Sequence, residues 1–200
     1  MDVITISRQL GSLGFEVGKA VAERLGYRLV WRDLINQAAI RAGAPEVALA
    51  MIDEFNLLGI APSAQQFEDY IRVVGQVIHE MADGGKIVIV GRAGQVLLKD
   101  DPRVLHVRII APHRVRIERL MTSRGIPADA AKAQIEASDR SRKNYLHRFY
   151  QVNWQDASLY DLTINTGRIS VSAAADFICH AARLAEAWQP VHQTNEDEIA

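Results

Sequence analysis

The run Lys86-Ile87-Val88-Ile89-Val90 constrains the fold more than any other stretch of the chain. Its apolar character is continuous rather than alternating, so a strand built from it needs cover on both faces. A parallel sheet between two layers of helices provides that cover. The rest of the sequence supplies the parts. Val3-Ile4-Thr5-Ile6, residues 28–31, residues 104–110 and Leu162-Thr163-Ile164 read as further strands. Helical patterns separate them. Val17, Ala20, Val21 and Leu25 recur at helical spacing until Gly26. Residues 33–41 and 46–58 are helical by composition, with Gly43-Ala44-Pro45 between them. Phe67, Tyr70, Ile71, Val74, Val77, Ile78 and Met81 form a 3.6-residue stripe. Helices are also expected from Pro112 to about Arg124, from about Ala128 toward Tyr150, and from a Ser170 cap to near Trp188. The alternation predicts an α/β fold with three layers, α/β/α, around a central parallel sheet of about five strands joined by right-handed crossovers.

Composition narrows the function classes. At 200 residues the chain suits one domain, or one domain with a small inserted lid. The lone Cys179 has no internal disulfide partner, which favours a reducing compartment. Residues 1–6 lack the features of a signal peptide, and no stretch approaches the roughly 18 apolar residues of a membrane span. The expectation is a cytoplasmic protein without a membrane partner. A net charge of −1 argues against a nucleic-acid partner, although residues 103–148 hold eleven Lys/Arg against four acids. His79, His106, His113 and His147 show no metal-ligand spacing, so no protein-held metal site is expected.

In open parallel sheets ligands bind beyond the carboxyl ends of the strands. That edge should carry residues 7–14, 31–33, 91–92 and 110–113. The first of these is Ser7-Arg8-Gln9-Leu10-Gly11-Ser12-Leu13-Gly14, followed by a helix. Glycines let backbone N–H groups approach an anion, and a helix start favours negative charge. A phosphate loop normally ends G-K-[ST], and here the Lys is missing, so an ordinary βα turn is the alternative reading.

The order of motifs is more specific. The opening from Ile4 to Gly14, then Leu25-Gly26-Tyr27, Arg32-Asp33-Leu34-Ile35, Val88-Ile89-Val90-Gly91-Arg92-Ala93, Asp101-Pro102-Arg103-Val104, Asp139-Arg140-Ser141-Arg142 and Tyr160-Asp161-Leu162-Thr163-Ile164-Asn165-Thr166 together resemble the cytidylate-kinase-like branch of the P-loop nucleoside monophosphate kinases. The resemblance spans residues 3–183. It implies phosphoryl transfer from ATP, with Mg²⁺, to a nucleoside monophosphate of the CMP/dCMP class. It implies a phosphate cradle from Gly11, Ser12, Leu13, Gly14 and Phe15. Arg92 would hold the acceptor's phosphate, and Arg140 and Arg142 would close over the transferring group. Asp33 would contact substrate, its alternative being a helix N-cap. One domain over residues 1–188 would then carry a helical acceptor-side insertion at about 34–82 and a helical lid at about 125–153, with 189–200 a frayed tail. Its partners would be small-molecule nucleotides. The oligomeric state stays open.

Departures from the family pattern cluster at the phosphate loop. Against standard monophosphate kinases, Gly14 stands at the Lys position, a loss common in the branch itself, and Phe15 stands at the Mg²⁺-binding Ser/Thr position, while Trp31 sits where the branch usually has Asp. Val90 and Ala93 replace acids beside the Gly-Arg pair. Arg8, on the loop itself, is the better substitute for the missing cation; Lys19 lies a helical turn further in. These losses keep a second reading open, a catalytically degenerate nucleotide-binding or sensing protein. A dinucleotide-binding oxidoreductase is a minor third, and the chain lacks G-x-G-x-x-G.

Overall fold

The computed structural model describes residues 1–31, 40–41 and 63–184. Five parallel strands form one sheet: β1 (Val3–Arg8), β2 (Arg28–Val30), β3 (Ile87–Val90), β4 (Val104–Ile110) and β5 (Leu162–Asn165). They lie in the order β2-β3-β1-β4-β5. The described helices are α1 (Gly14–Leu25), α2 (Ala64–Asp83), α3 (Gly94–Leu97), α4 (His113–Arg124), α5 (Ala128–Tyr150) and α6 (Val171–Arg183). The helices expected over 46–58 and most of 33–41, and the tail from 189, lie outside the described residues.

Strand alternation divides the core into two layers, as the Ile87–Val90 run requires. Ile4, Ile6, Val88, Val90, Leu105, Val107 and Ile109 pack with Val17 and Val21 of α1 and Ala174 and Ile178 of α6. Val3, Ile87, Ile89 and Val104 point the other way and pack with Tyr70, Val74, Val77 and Ile78 of α2. Each of these side chains is at most 4% exposed. Full burial of one such aliphatic side chain contributes about 1.5–3 kcal/mol. From Tyr70 to Met81 the stripe read on α2 is therefore its core face, and a Ser63–Gln66 capping box fixes where that helix begins.

Two elements carried no sequence signal. α3 is four residues long, too short for a period to show, and a 3₁₀ turn at Ala157–Leu159 is likewise a single turn. The topology has β1 central. The chain fills β2 and β3 on one side of it, then crosses to β4 and β5 on the other. The crevice beyond the carboxyl ends of β1, β3 and β4 is thus the place where loops diverge and a ligand can enter.

Candidate functional site

The loop after β1 is tied down from behind. Gln9 donates its N–H to the Ile109 carbonyl (3.1 Å) and accepts the Ala111 N–H on Oε1 (3.1 Å). Ser12 donates both its N–H (3.2 Å) and its hydroxyl (2.8 Å) to the Gln9 carbonyl. Arg119 of α4 donates to the Gly11 carbonyl (3.2 Å) and to the carbonyl (2.7 Å) and hydroxyl (3.1 Å) of Thr166. The Thr166 hydroxyl in turn donates to the Ser12 carbonyl (2.7 Å). Two successive loop carbonyls are thereby engaged by α4 and the segment after β5. Gly11 has φ 77°, and a Cβ there would lie 2.9 Å from Leu120 Cδ1 and 3.0 Å from the Arg116 carbonyl oxygen, so only glycine fits.

The other side of the loop leads into a helix start without a side-chain cap. α1 starts at Gly14 after Leu13 in the left-handed region (φ 59°), and no side chain caps it. Its first N–H groups and its dipole suit a phosphate. This fits the phosphate chain of ATP, with backbone N–H groups from Gly14 and Phe15 rather than side chains, whereas the Ser12 N–H is already bonded to the Gln9 carbonyl. Ser12 is fully buried and its hydroxyl is already committed to Gln9.

Arg8 lies across this opening. A Cβ on Gly14 would collide with Arg8 Cβ and stand 3.1 Å from its Cγ. A Cβ on Gly91 (φ 84°) would collide with Arg8 Nη1 and stand 3.1 Å from Cζ. The stem of Arg8 therefore occupies the space over Gly14, and its guanidinium rests on the turn after β3. Lys19, by contrast, is exposed and pairs with Glu23 at 3.8 Å.

That turn is held in an unusual conformation. Gly91, Arg92 and Ala93 follow one another at φ 84°, 56° and 57°. A left-handed non-glycine residue costs about 1–3 kcal/mol and is often found at functional sites. Arg92 is half-buried and, among the described residues, makes no hydrogen bond or ion pair. Its charge acts on three tyrosines, Tyr70 of α2 and Tyr145 and Tyr150 of α5. Burial pushes the Tyr70 hydroxyl up to about 12 and raises the other two, with Arg92 opposing in each case. All three are neutral donors near pH 7.

Phe15 and Trp31, two departures from the family pattern, meet each other. Their rings are 4.9 Å apart and tilted by 55°. An aromatic pair thus stands where the resemblance led to the expectation of a hydroxyl and a carboxylate. Neither offers an oxygen, and the described residues hold no cluster of three or more His, Cys, Asp or Glu. A protein-held Mg²⁺ does not fit these two side chains.

The lid-segment arginines diverge, as two positions 200° apart on a helix must. Arg140 is exposed and lies 3.9 Å from Glu136. Arg142 is half-buried and donates to the Ser138 hydroxyl. Asp139 between them accepts a two-pronged contact from Arg116 (3.1 and 2.6 Å), whose side chain is 3% exposed. That pair ties α5 to α4 beside the loop. Asp33 lies outside the described residues.

Sequence reasoning missed Arg119 and Thr166, which brace the loop, and Arg108. Arg108 is buried between Trp154 and Tyr160, 5.2 and 5.4 Å from the ring centres, and donates to the Gln155 carbonyl (3.2 Å). Ser7 accepts the Trp154 indole N–H at 2.9 Å. These contacts fasten the segment after α5 to the sheet edge. Their partners are 47 and 147 residues apart in the chain, beyond any local pattern.

With this geometry in view, the model of the cytidylate kinase-like family matches residues 3–168. The chain belongs to that family. A cytidylate kinase of Pyrococcus horikoshii is 33% identical over 169 residues, covering 84% of this chain and 81% of that protein. A protein of Corynebacterium glutamicum named uronate isomerase is 29% identical over 147 residues, 74% of this chain, and the match spans only 28% of that protein's length. The crystal structure of an uncharacterized protein from Eubacterium ventriosum superposes with a TM-score of 0.73 at 23% identity, covering 92% of this chain and 99% of that one. Shikimate kinase from Acinetobacter baumannii superposes at 0.54 with 14% identity, covering 94% and 96%. The shared architecture is that of a P-loop kinase, and this family member is a divergent, kinase-like P-loop protein. No described helix is long and apolar enough to cross a membrane.

Proposed function

We propose that this protein transfers a phosphoryl group from ATP to a nucleoside monophosphate of the CMP/dCMP class. The observation that carries the reading is Arg8, its stem over Gly14 and its guanidinium on Gly91. A cation there lies between the anion-ready start of α1 and Arg92, where a transferring group has to pass. ATP would supply that group. The uncapped N–H groups from Gly14 onward would hold its phosphates, and Arg8 would take the role of the absent Lys. Arg92 would hold the acceptor's phosphate. Phosphoryl transfer depends on positioning and charge neutralisation, which arginines supply. An acceptor phosphate, with a second pKa of about 6, is already a nucleophilic dianion near neutral pH, so no general base is needed. Asp33 would contact the acceptor. Residues 125–153, with Arg140 and Arg142, would act as the lid, and 34–82 as the acceptor-side insertion. Mg²⁺ would arrive with the nucleotide, and no step is assigned to it.

The test is ADP formation from Mg·ATP with CMP, dCMP, other nucleoside monophosphates and, given the likeness to a protein named uronate isomerase, glucuronate. Turnover with CMP or dCMP that falls in Arg8→Ala supports the reading. A protein inert toward every nucleoside monophosphate overturns it.

The Phe15–Trp31 contact favours a second reading, a nucleotide-binding protein that has lost turnover. Calorimetry with ATP and CMP, with and without Mg²⁺, separates the two. Monophosphate binding without ATP-dependent turnover would select the second.

A further inference from the structure

Among the described residues two arginines are buried, and only one of them has a counter-charge. Arg116, with its side chain 3% exposed, is paired with Asp139. Arg108 of β4 is 9% exposed and has no acidic partner among the described residues. Its guanidinium lies 5.2 Å from the ring centre of Trp154 and 5.4 Å from that of Tyr160. Nη1 donates to the Gln155 carbonyl at 3.2 Å, and Nε is buried without a hydrogen-bond partner. A buried charge without a counter-charge destabilises a fold, and two cation–π contacts and one carbonyl offset only part of that. An apolar side chain of similar length fills such a place with less penalty, so stability does not explain the arginine.

The contacts of Arg108 share one destination. Trp154, Gln155 and Tyr160 all belong to the segment of residues 151–161 that returns from α5 to β5. The same segment is tied to β1. Trp154 donates its indole N–H to Ser7 Oγ at 2.9 Å, and the Tyr160 hydroxyl donates to the Trp154 carbonyl at 2.9 Å. Ser7 and Arg108 are register partners on neighbouring strands. Ser7 directly precedes Arg8, whose stem lies over Gly14 and whose guanidinium rests on Gly91.

We propose that Arg108 is a positioning residue for nucleotide binding, acting through Trp154 and Ser7 on Arg8. The inference rests on the reading of Arg8 given above. The planar guanidinium, set against two rings, clamps the return segment onto the sheet. The clamped indole then holds Ser7 on one face of β1. Side chains alternate along a strand, so fixing Ser7 on one face fixes the direction in which Arg8 leaves the other. A lysine would keep the charge but has no plane to stack, and a methionine would fill the space with neither.

A purely structural role and a positioning role differ in the sign of one effect and in the coupling of another. Removing an unpaired buried charge should leave the protein as stable or more so. Its effect on binding should disappear once Arg8 is gone, because residues that act through one another are not additive.

The experiment uses the full chain as wild type, Arg108→Met, Arg108→Lys, Arg8→Ala and the double variant Arg108→Met with Arg8→Ala. Calorimetry with a non-hydrolysable ATP analogue is paired with thermal unfolding of the free protein and with hydrogen exchange of the backbone amides of residues 151–161. Arg108→Met should bind the analogue about tenfold more weakly, on the scale of the two ring contacts it loses. Its Tm should be unchanged or higher, and exchange in the return segment should be about tenfold faster. Arg108→Lys should recover only part of the affinity. In the Arg8→Ala background, Arg108→Met should weaken binding no further. Wild-type affinity in Arg108→Met beside weak binding in Arg8→Ala overturns the positioning role alone. An equal loss of affinity in both backgrounds overturns it too, as does a lowered Tm without loss of affinity. A wild type that does not bind the analogue, or an Arg8→Ala variant that binds it as well as the wild type, overturns the reading of Arg8, and the positioning role falls with it.

Discussion

The two sides of the sheet edge are built on opposite terms. On the loop side, Gly11 and Ser12 have their carbonyls engaged, and Gln9, Ser12, Arg119 and Thr166 are all paired. On the Arg92 side, two successive non-glycine residues sit in the left-handed region, against Leu13 alone on the loop side, and three buried hydroxyls lack partners, against Arg116 Nε on the loop side. The loop is a finished scaffold whose free groups are backbone N–H donors. The Arg92 side holds strain and unpaired donors in reserve. A site that must admit, grip and release an acceptor is expected to be the less satisfied one. Truncation should therefore destabilise the loop side, and should stabilise the Arg92 side while disabling it.

Arg92 breaks this contrast most severely. Arg92→Gly should lower kcat/KM for the acceptor about 10³-fold or more, the scale of an arginine that stabilises phosphoryl transfer. The same change should raise stability by about 1–2 kcal/mol, because glycine adopts φ 56° without steric cost. Urea unfolding beside steady-state kinetics checks both halves. Arg8→Ala comes next, with a loss of about 10²–10³-fold in kcat, similar to removal of one oxyanion donor. Arg8→Lys should recover part of that loss.

Thr166→Val tests the scaffold side. It leaves the Ser12 carbonyl without its donor and should cost about 1–3 kcal/mol, with weaker ATP binding and an unchanged affinity for CMP. The smallest effect is a slope. Burial lowers the pKa of His106, which lies on the same sheet face as Arg108, while Asp161 opposes the shift. The unfolded histidine binds protons first, so the stability this group contributes is present above about pH 6.5 and is lost as pH falls toward the folded-state value. The loss is at most about 1.4 kcal/mol per pH unit. His106→Gln should flatten stability between pH 7 and pH 5.5.

Most of the fold was legible because it follows from local patterns. Ile87–Val90 required two covered faces, the α2 stripe turned out to be its core face, and the five strands lie where their apolar runs placed them. α3 was too short to show a period. The site was legible only where residues are close in sequence. Gly11, Gly14 and Arg92 were marked by glycine and strand-end position. The position of Arg8 is set against Gly14 and Gly91, which only the fold brings together. Phe15 and Trp31 read as separate departures, and their contact made them one change. Tyr70 looked like another apolar stripe position, and that its hydroxyl is buried without a hydrogen-bond partner shows only in the fold.

The most direct test of the central claim is acceptor-dependent ADP formation from Mg·ATP and CMP, followed in wild type and Arg8→Ala under identical conditions. The account predicts turnover in the wild type that depends on CMP or dCMP and falls by at least 10²-fold in the variant. A wild type that forms no ADP with any nucleoside monophosphate, or a variant as fast as wild type, would contradict it.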